Sequence, residues 1–119
     1  MKQLSNAYNA KGDSDHAIAI FEKAVDKFPT ERWLWYKLHD ACKQKRDYDH
    51  AIEIFEKAVD KFPTEQWSWD RLGDAYKQKG DYDHAIAIFE KAVDKFPTER
   101  WSWDRLSDAY KQKRDYDYD

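Results

Sequence analysis

The stretch that decides the fold is residues 47–80, DYDHAIEIFEKAVDKFPTEQWSWDRLGDAYKQKG. The same pattern recurs at residues 81–114 with four differences, and the copy at residues 13–46 matches residues 81–114 at 28 of 34 positions. A fixed period of this length is typical of repeat proteins, in which each unit buries its apolar side against its neighbours. The period therefore predicts a repeat array before any single element is considered.

Each copy contains the pattern of two amphipathic helices. In the central copy, apolar residues recur at spacings of three and four from Ala51 to Phe62, which predicts a first helix that Pro63 should end. A second helix should begin near Thr64, because Thr is a good N-cap, and end at Gly80. Its apolar stripe comprises Trp69, Leu72, Ala75 and Tyr76. Each copy is therefore predicted to form a helical hairpin.

These residues carry a family resemblance. The pattern Trp69-x-x-Leu72-Gly73-x-x-Tyr76, followed by Ala85-x-x-x-Phe89 and then Pro97, resembles the tetratricopeptide repeat, whose period is the same. The resemblance implies an all-α, right-handed superhelical solenoid of antiparallel helix pairs, with about three and a half repeats in a single domain over residues 1–119. Helix A carries the Trp, and helix B follows it. The expected helices are half of A1 (1–11), B1 (14–27), A2 (30–45), B2 (48–61), A3 (64–79), B3 (82–95) and A4 (98–113), with a tail at 115–119.

The composition is that of a folded helical protein. Hydrophobic residues make up 41% and charged residues 38%, with only three Gly and three Pro. The net charge is −3 and no basic block stands out, which argues against nucleic acid and anionic membrane as partners. No apolar run approaches the roughly 20 residues of a membrane span, and no signal peptide opens the chain. A single Cys excludes an intrachain disulfide, so we expect an intracellular, cytoplasmic protein.

The sequence contains no catalytic motif. It has no Gly-rich phosphate loop, no nucleophile motif, no HExxH and no CxxC. Thr30, Thr64 and Thr98 are accounted for as helix caps, and the many Asp and Glu residues are spread over predicted solvated faces. We therefore expect no enzymatic activity, no cofactor and no metal.

Two substitutions in the first copy alter one layer of its helix A. His39 stands where the other copies have Gly or Ser, and Cys42 stands where they have Tyr. Because they are three residues apart, a larger His beside a smaller Cys predicts a volume exchange within one packing layer. The alternative, a His–Cys metal site, supplies two ligands where zinc takes three or four. His16, His50 and His84 are each one repeat apart, too far to share an ion.

The residue after helix A also differs between copies. Gly80 can adopt the left-handed conformation that closes a helix. Arg46 and Arg114 replace it in the other two copies, and a non-Gly residue in that conformation costs about 1 kcal/mol. We therefore expect both Arg turns to be strained.

The resemblance also implies a binding face. In this family helices A line a concave groove that binds extended peptides, so the expected partner is a protein or a peptide segment. In this sequence the face begins with a second Trp, two residues before the core Trp, in WLW at 33–35 and WSW at 67–69 and 101–103. The candidate binding residues are Trp33, Tyr36, Lys37 and Asp40 in the first copy, Trp67, Asp70, Arg71, Asp74 and Lys77 in the second, and Trp101, Asp104, Arg105 and Asp108 in the third.

Two interpretations of the second Trp row stay open. Its members point about 200° away from the core Trp around helix A. They can form a platform for a ligand, with the Arg71 guanidinium over the Trp67 indole and Arg105 over Trp101 at helical spacing. They can instead form a structural ladder that packs between successive helices A.

The last helix A keeps its apolar stripe of Trp103, Leu106 and Tyr110. Terminal helices of repeat arrays usually have a polar outer face, so the chain reads as a piece of a longer array. The exposed stripe predicts self-association, by stacking on helix B1 of another copy or by helix exchange. The two functional hypotheses are a partner-binding scaffold and a self-associating array. The FPTExWxW cadence also resembles amplified arrays at the sensing end of NTPase-type immune receptors, notably of fungi.

Overall fold

The structure is a computed structural model that describes residues 13–118. Within that range the chain forms six α-helices and no strand. Predicted helix A1 lies outside the described residues. No helix in residues 13–118 is both long enough and apolar enough to cross a membrane. The helices are α1 (Ser14–Lys27), α2 (Arg32–Lys45), α3 (Tyr48–Lys61), α4 (Gln66–Lys79), α5 (Tyr82–Lys95) and α6 (Arg100–Tyr118).

The chain divides into two compact units between α2 and α3, after Asp47. In the first unit α1 packs against α2. In the second unit α3 to α6 pack each against the next in chain order, so that α5 lies between α4 and α6. The prediction of a single domain over the whole chain stays a prediction.

Helices α1, α3 and α5 have the bounds that the sequence predicts for the B helices. Asp13 and Asp81 are the N-caps of α1 and α5, and their carboxylates accept hydrogen bonds from the backbone N–H of His16 and His84 at 3.4 and 3.3 Å. Each His ring Nδ1 also lies 2.7 Å from the same carboxylate. The hydrogen bond from His16 lowers the pKa of Asp13 below its usual value. These His side chains are exposed, as expected for the first turn of a B helix.

Helices α2, α4 and α6 begin two residues later than predicted. The chain after Phe62 makes a β-turn in which the Glu65 N–H donates to the Phe62 carbonyl at 3.1 Å. Pro63 takes the second position of the turn, which its fixed φ favours, and Glu65 then precedes the helix without a side-chain cap. The turn recurs in every copy. The prediction of Thr N-caps was therefore wrong for Thr30, Thr64 and Thr98.

The core Trp of each copy fixes this turn to the helix that follows. Its indole N–H donates to the carbonyl of the Pro six residues earlier. This bond satisfies the polar atom of the buried rings Trp35 and Trp69, and it also forms in Trp103, whose side chain is half exposed. In the second and third copies, Ser68 and Ser102 also bond to backbone carbonyls of the turn. In the first copy the buried Leu34 takes this place. The Trp bonds are Trp35 to Pro29 (2.8 Å), Trp69 to Pro63 (2.9 Å) and Trp103 to Pro97 (2.9 Å).

One ion pair recurs at the open end of each B–A hairpin. The ammonium group of a Lys near the end of helix A contacts an Asp in the first turn of the preceding helix B. The carboxylate raises the pKa of each Lys through a hydrogen bond. All six side chains are exposed, so these pairs contribute little to stability. The pairs are Lys45–Asp15, Lys79–Asp49 (2.7 Å) and Lys113–Asp83 (2.8 Å).

The helix ends distinguish the two Arg residues. Gly80 closes α4 at φ 90°, and Arg46 closes α2 in the same left-handed region at φ 62°, which confirms the prediction for this turn. The prediction for Arg114 was wrong, because α6 continues through it to Tyr118. Within this extension the Tyr116 ring meets the Tyr82 ring edge-on at 5.7 Å between centroids.

His39 and Cys42 are both buried in α2. Burial raises the pKa of the Cys42 thiol to about 12, as expected for a small core residue. In residues 13–118 no cluster of three or more His, Cys, Asp or Glu side chains could hold a metal ion. The burial of both side chains supports the packing interpretation of these substitutions.

Candidate partner-binding surface

Five of the predicted binding residues come together in one ion network between α4 and α6. The Arg105 Nε lies 3.2 Å from Asp70 Oδ1, and its Nη1 lies 3.8 Å from Asp74 Oδ1. The Lys77 ammonium donates to Asp108 Oδ2 at 3.3 Å and lies 3.7 Å from Asp74 Oδ1. We call Asp70, Asp74, Lys77, Arg105 and Asp108 the α4–α6 network.

Asp70 is the strained member of this network. Burial raises its pKa, although Arg105 opposes the effect. The Arg105 Nε contact is not aligned as a hydrogen bond, and Asp70 Oδ1 is buried without a hydrogen-bond partner among the described residues. Gln78 supports Asp74 instead, because its Nε2 donates to Asp74 Oδ2 at 3.1 Å. In the network, partly desolvated carboxylates therefore already form ion pairs with the available cations.

The second Trp row is not uniform. Trp67 is only 8% exposed, and its ring lies 5.6 Å from the Phe62 ring at a tilted angle. Trp101 is partly buried, and its indole N–H is buried with no hydrogen-bond partner in the described range. The Arg105 guanidinium, which was expected over the Trp101 indole, instead contacts Asp70 of α4. Trp67 is therefore buried against Phe62 in the turn before α4, and the choice between ladder and platform stays a prediction.

The first unit presents the most exposed member of this row. Trp33 is 47% exposed, and Asp40 on the same helix is exposed as well. Tyr36 and Lys37 are partly buried. We call these four residues of α2 the Trp33 face. Of the three second-row Trp residues, Trp33 is exposed, Trp101 is partly buried and Trp67 is buried.

The remaining predicted binding residues lie at the margins of the second unit's network. Arg71 is partly buried and close enough to Asp70 for its charge to lower that carboxyl's pKa. Asp104 is exposed on α6. Their role in binding stays a prediction.

The predicted self-association stripe lies on an open face of α6. Trp103 is 50% exposed and Tyr110 is 49% exposed, whereas Leu106 is partly buried. The equivalent face of α4 lies against α5, with the Lys95 ammonium 5.3 Å from the centre of the Trp69 ring. We call Trp103, Leu106 and Tyr110 the open α6 face.

Sequence reasoning missed a cleft of about 260 Å³ on the side of the B helices. Its floor belongs to α4, where the Tyr76 hydroxyl donates to Glu56 of α3 at 3.0 Å. Burial and this bond raise the pKa of Tyr76. A constant interval of 20 residues could have revealed the bond, because Tyr110 and Glu90 repeat it at 3.4 Å. The cleft is lined by Glu56, Val59, Asp60, Trp69, Leu72, Tyr76, Ile88 and Lys91.

Comparison with known proteins agrees with this architecture. Two sequence models described as tetratricopeptide repeat match the chain, one over residues 43–103 and one over residues 1–41. Among curated proteins, no sequence matches the chain.

Several solved structures with a similar fold are tetratricopeptide domains. The Sgt2 domain from Aspergillus fumigatus superposes with a TM-score of 0.71 at 21% identity, covering 99% of this chain and 80% of that one. The first such domain of human RPAP3 gives 0.71 at 19% identity, covering 98% and 92%. The first repeat domain of Spaghetti (RPAP3), bound to the HSP90 peptide SRMEEVD, gives 0.66 at 20% identity, covering 92% and 89%. At these identities the likeness establishes the fold, an all-α solenoid of about three and a half repeats. The chain belongs to the tetratricopeptide repeat family.

Proposed function

We propose that the chain is a protein-interaction scaffold that binds a peptide or a partner segment through the Trp33 face. The observation that carries the proposal is the exposure of Trp33, because a large aromatic side chain half in water gains much when a ligand covers it. The Spaghetti repeats with their bound HSP90 peptide support a peptide ligand for this fold.

The neighbours of Trp33 suit an extended ligand. Tyr36 lies three residues after Trp33, and Lys37 lies four residues after it, so the three side chains share one side of α2. Tyr36 adds a hydroxyl to an aromatic surface, and the exposed carboxylate of Asp40 continues the row one turn further on. Such a surface binds an apolar anchor beside polar backbone groups.

A peptide-display selection against the whole chain tests this proposal. Enriched peptides would be synthesised with a fluorescent label and titrated by fluorescence polarisation. We expect Trp33→Ala to weaken binding at least tenfold, and Lys23→Ala on the exposed side of α1 to leave it unchanged. Selected peptides that bind both variants as tightly as the unchanged chain would contradict the proposal.

A second candidate function, self-association, rests on the open α6 face. On α1 the larger apolar residues Ile18 and Phe21 are buried, whereas Trp103 and Tyr110 of α6 are half exposed. We therefore propose that two copies meet through their α6 faces, with Trp103 and Tyr110 at the contact. A symmetric contact of this kind uses the same patch on both copies.

Sedimentation velocity from about 1 to 100 μM, the range in which micromolar contacts appear, tests self-association. We expect a concentration-dependent dimer that the double variant Trp103→Glu, Tyr110→Glu abolishes, whereas Lys23→Glu on α1 keeps it. A monomer at every concentration would contradict this candidate.

The cellular setting also belongs to the proposal. An intracellular location is supported by the single cysteine, Cys42. The near-identity of the copies supports a place among the amplified sensing repeats of an NTPase-type immune receptor. Sequencing the parent gene tests the immune-receptor proposal. The absence of an NTPase module from the same reading frame would contradict it.

A further inference from the structure

The α4–α6 network holds a cation between two carboxylates. Lys77 is only 15% exposed, and its ammonium group contacts Asp74 and Asp108 from opposite helices. Within residues 13–118 it has no other ion-pair partner. A lysine this desolvated interacts strongly with a nearby anion, because water screens the pair weakly. Its preferred anions are already supplied by the protein.

The charge balance of the network disfavours an anionic ligand. Three carboxylates, Asp70, Asp74 and Asp108, contact two cations, Lys77 and Arg105, so the formal charge of these five groups is −1. An acidic segment that approached Lys77 would have to displace Asp108 and would meet Asp74 beside it. Like charges brought together at an interface weaken binding, so the network disfavours an acidic partner.

We propose that Asp74 and Asp108 determine the specificity of this surface by closing an anion site around Lys77. The chain then excludes ligands with clustered carboxylates, and the site accepts them once the two aspartates are neutralised. Changing both residues to Asn keeps the side-chain shape and changes the formal charge of the network from −1 to +1. This inference rests on the proposed scaffold function, for which it names the class of ligand that is refused.

The peptide SRMEEVD is a suitable probe, because it carries three acidic side chains and a terminal carboxylate. We expect the unchanged chain to show no saturation with the labelled peptide up to about 1 mM at low salt. The double variant Asp74→Asn, Asp108→Asn should bind at least tenfold more tightly than the unchanged chain. The single variant Asp108→Asn should lie between them, since Asp74 then remains beside Lys77.

Controls assign any gain to the anion site. Adding Lys77→Ala to the double variant should remove the gain, and a peptide with Gln and Asn in place of its acidic residues and an amidated C-terminus should not bind. Raising the salt to about 0.5 M should weaken binding, because ions screen the contact. Circular dichroism confirms that each variant is folded.

Two results would overturn the inference. One is binding of SRMEEVD to the unchanged chain as tight as to the double variant, which would leave the scaffold proposal standing. The other is a folded double variant and a folded Asp108→Asn variant that both gain nothing. If the selected peptides bound Trp33→Ala as tightly as the unchanged chain, only the scaffold proposal would be affected.

Discussion

The ring of Phe89 occupies the space that a side chain at Gly73 would need. A Cβ at position 73 would lie 2.4 Å from Phe89 Cε1 and 2.5 Å from Cζ. Phe89 is fully buried and belongs to the core cluster that α5 forms with α6. The missing side chain therefore sets how closely α4 and α5 approach.

Gly73→Ala should destabilise the second unit, because the Phe89 ring must move out of a packed core. Overpacking of this kind costs about 1–3 kcal/mol. Urea unfolding followed by circular dichroism measures the change. Ser107→Ala, at the equivalent exposed position of α6, is the matched control and should stay within about 0.5 kcal/mol. Equal effects of the two substitutions would show that the Phe89 contact does not matter.

The two Arg residues after helix A should respond in opposite ways to the same change. Arg46 has φ 62°, a conformation that glycine adopts without steric cost, so Arg46→Gly should stabilise the chain by up to about 1 kcal/mol. Arg114 lies inside α6, where glycine lowers helix propensity, so Arg114→Gly should destabilise it by up to about 1 kcal/mol.

Thermal unfolding of both variants measures this contrast. The two substitutions remove the same side chain, so a general effect of lost charge would shift both melting temperatures in one direction. Shifts of the same sign would contradict the assignment of Arg46 to the left-handed region or of Arg114 to the helix.

The sequence predicted the fold well where side-chain periodicity decides it. The apolar spacing and the Pro stop gave the bounds of α1, α3 and α5 without error. It failed where two local signals compete. The Phe62-Pro63-Thr64-Glu65 segment satisfies its backbone by a β-turn bond, so Thr64 is no longer free to cap the helix. At Arg114, the Tyr116–Tyr82 contact favours the helix over a turn, and such a contact depends on the packing of α5 and α6.

The candidate surface was predicted only in part. The i, i+3 spacing of Asp74 and Lys77 indicates their contact, because it is local to one helix. The contacts of Lys77 with Asp108 and of Arg105 with Asp70 join different helices, so their distances depend on the interhelix geometry. The burial of Trp67 and the exposure of Trp33 differ for the same reason, since equivalent positions in a repeat have different neighbours.

Cys42 should be nearly inert to thiol reagents while the first unit is folded. Its side chain is fully buried, and burial raises its pKa to about 12, so at pH 8 nearly all of the thiol is protonated. We expect labelling by an aromatic disulfide to be at least about 100-fold slower than for a model thiol of ordinary pKa. Absorbance of the released thiolate follows the reaction.

The matched control moves the thiol to an equivalent exposed position. In the variant Cys42→Ser, Tyr110→Cys, the thiol lies on the open α6 face, where Tyr110 is half exposed, and should react rapidly. In denaturant, Cys42 of the unchanged chain should be labelled as fast as this exposed thiol. Rapid labelling of Cys42 in the native chain would show that the first unit opens easily or that the thiol is not buried.

The raised pKa of Asp70 gives a pH dependence whose sign can be tested. Burial favours the neutral acid, so the folded state binds a proton at a higher pH than the unfolded state does. Between the two pKa values the folded chain holds more protons, and its free energy of unfolding therefore rises as the pH falls. At pH 7 the ionised, partly desolvated carboxylate costs stability, although Arg105 recovers part of this cost.

Asp70→Asn removes the ionised form but keeps the shape, so the variant should be more stable than the unchanged chain at pH 7. This advantage should shrink as the pH falls from 7 towards the ordinary pKa of a carboxyl, because the wild-type carboxyl then takes up its proton. Urea unfolding at matched ionic strength measures both proteins, and groups that titrate alike in the two cancel from the difference. An advantage that grows on acidification, or a variant less stable at pH 7, would mean that the attraction of Arg105 for Asp70 exceeds the effect of burial.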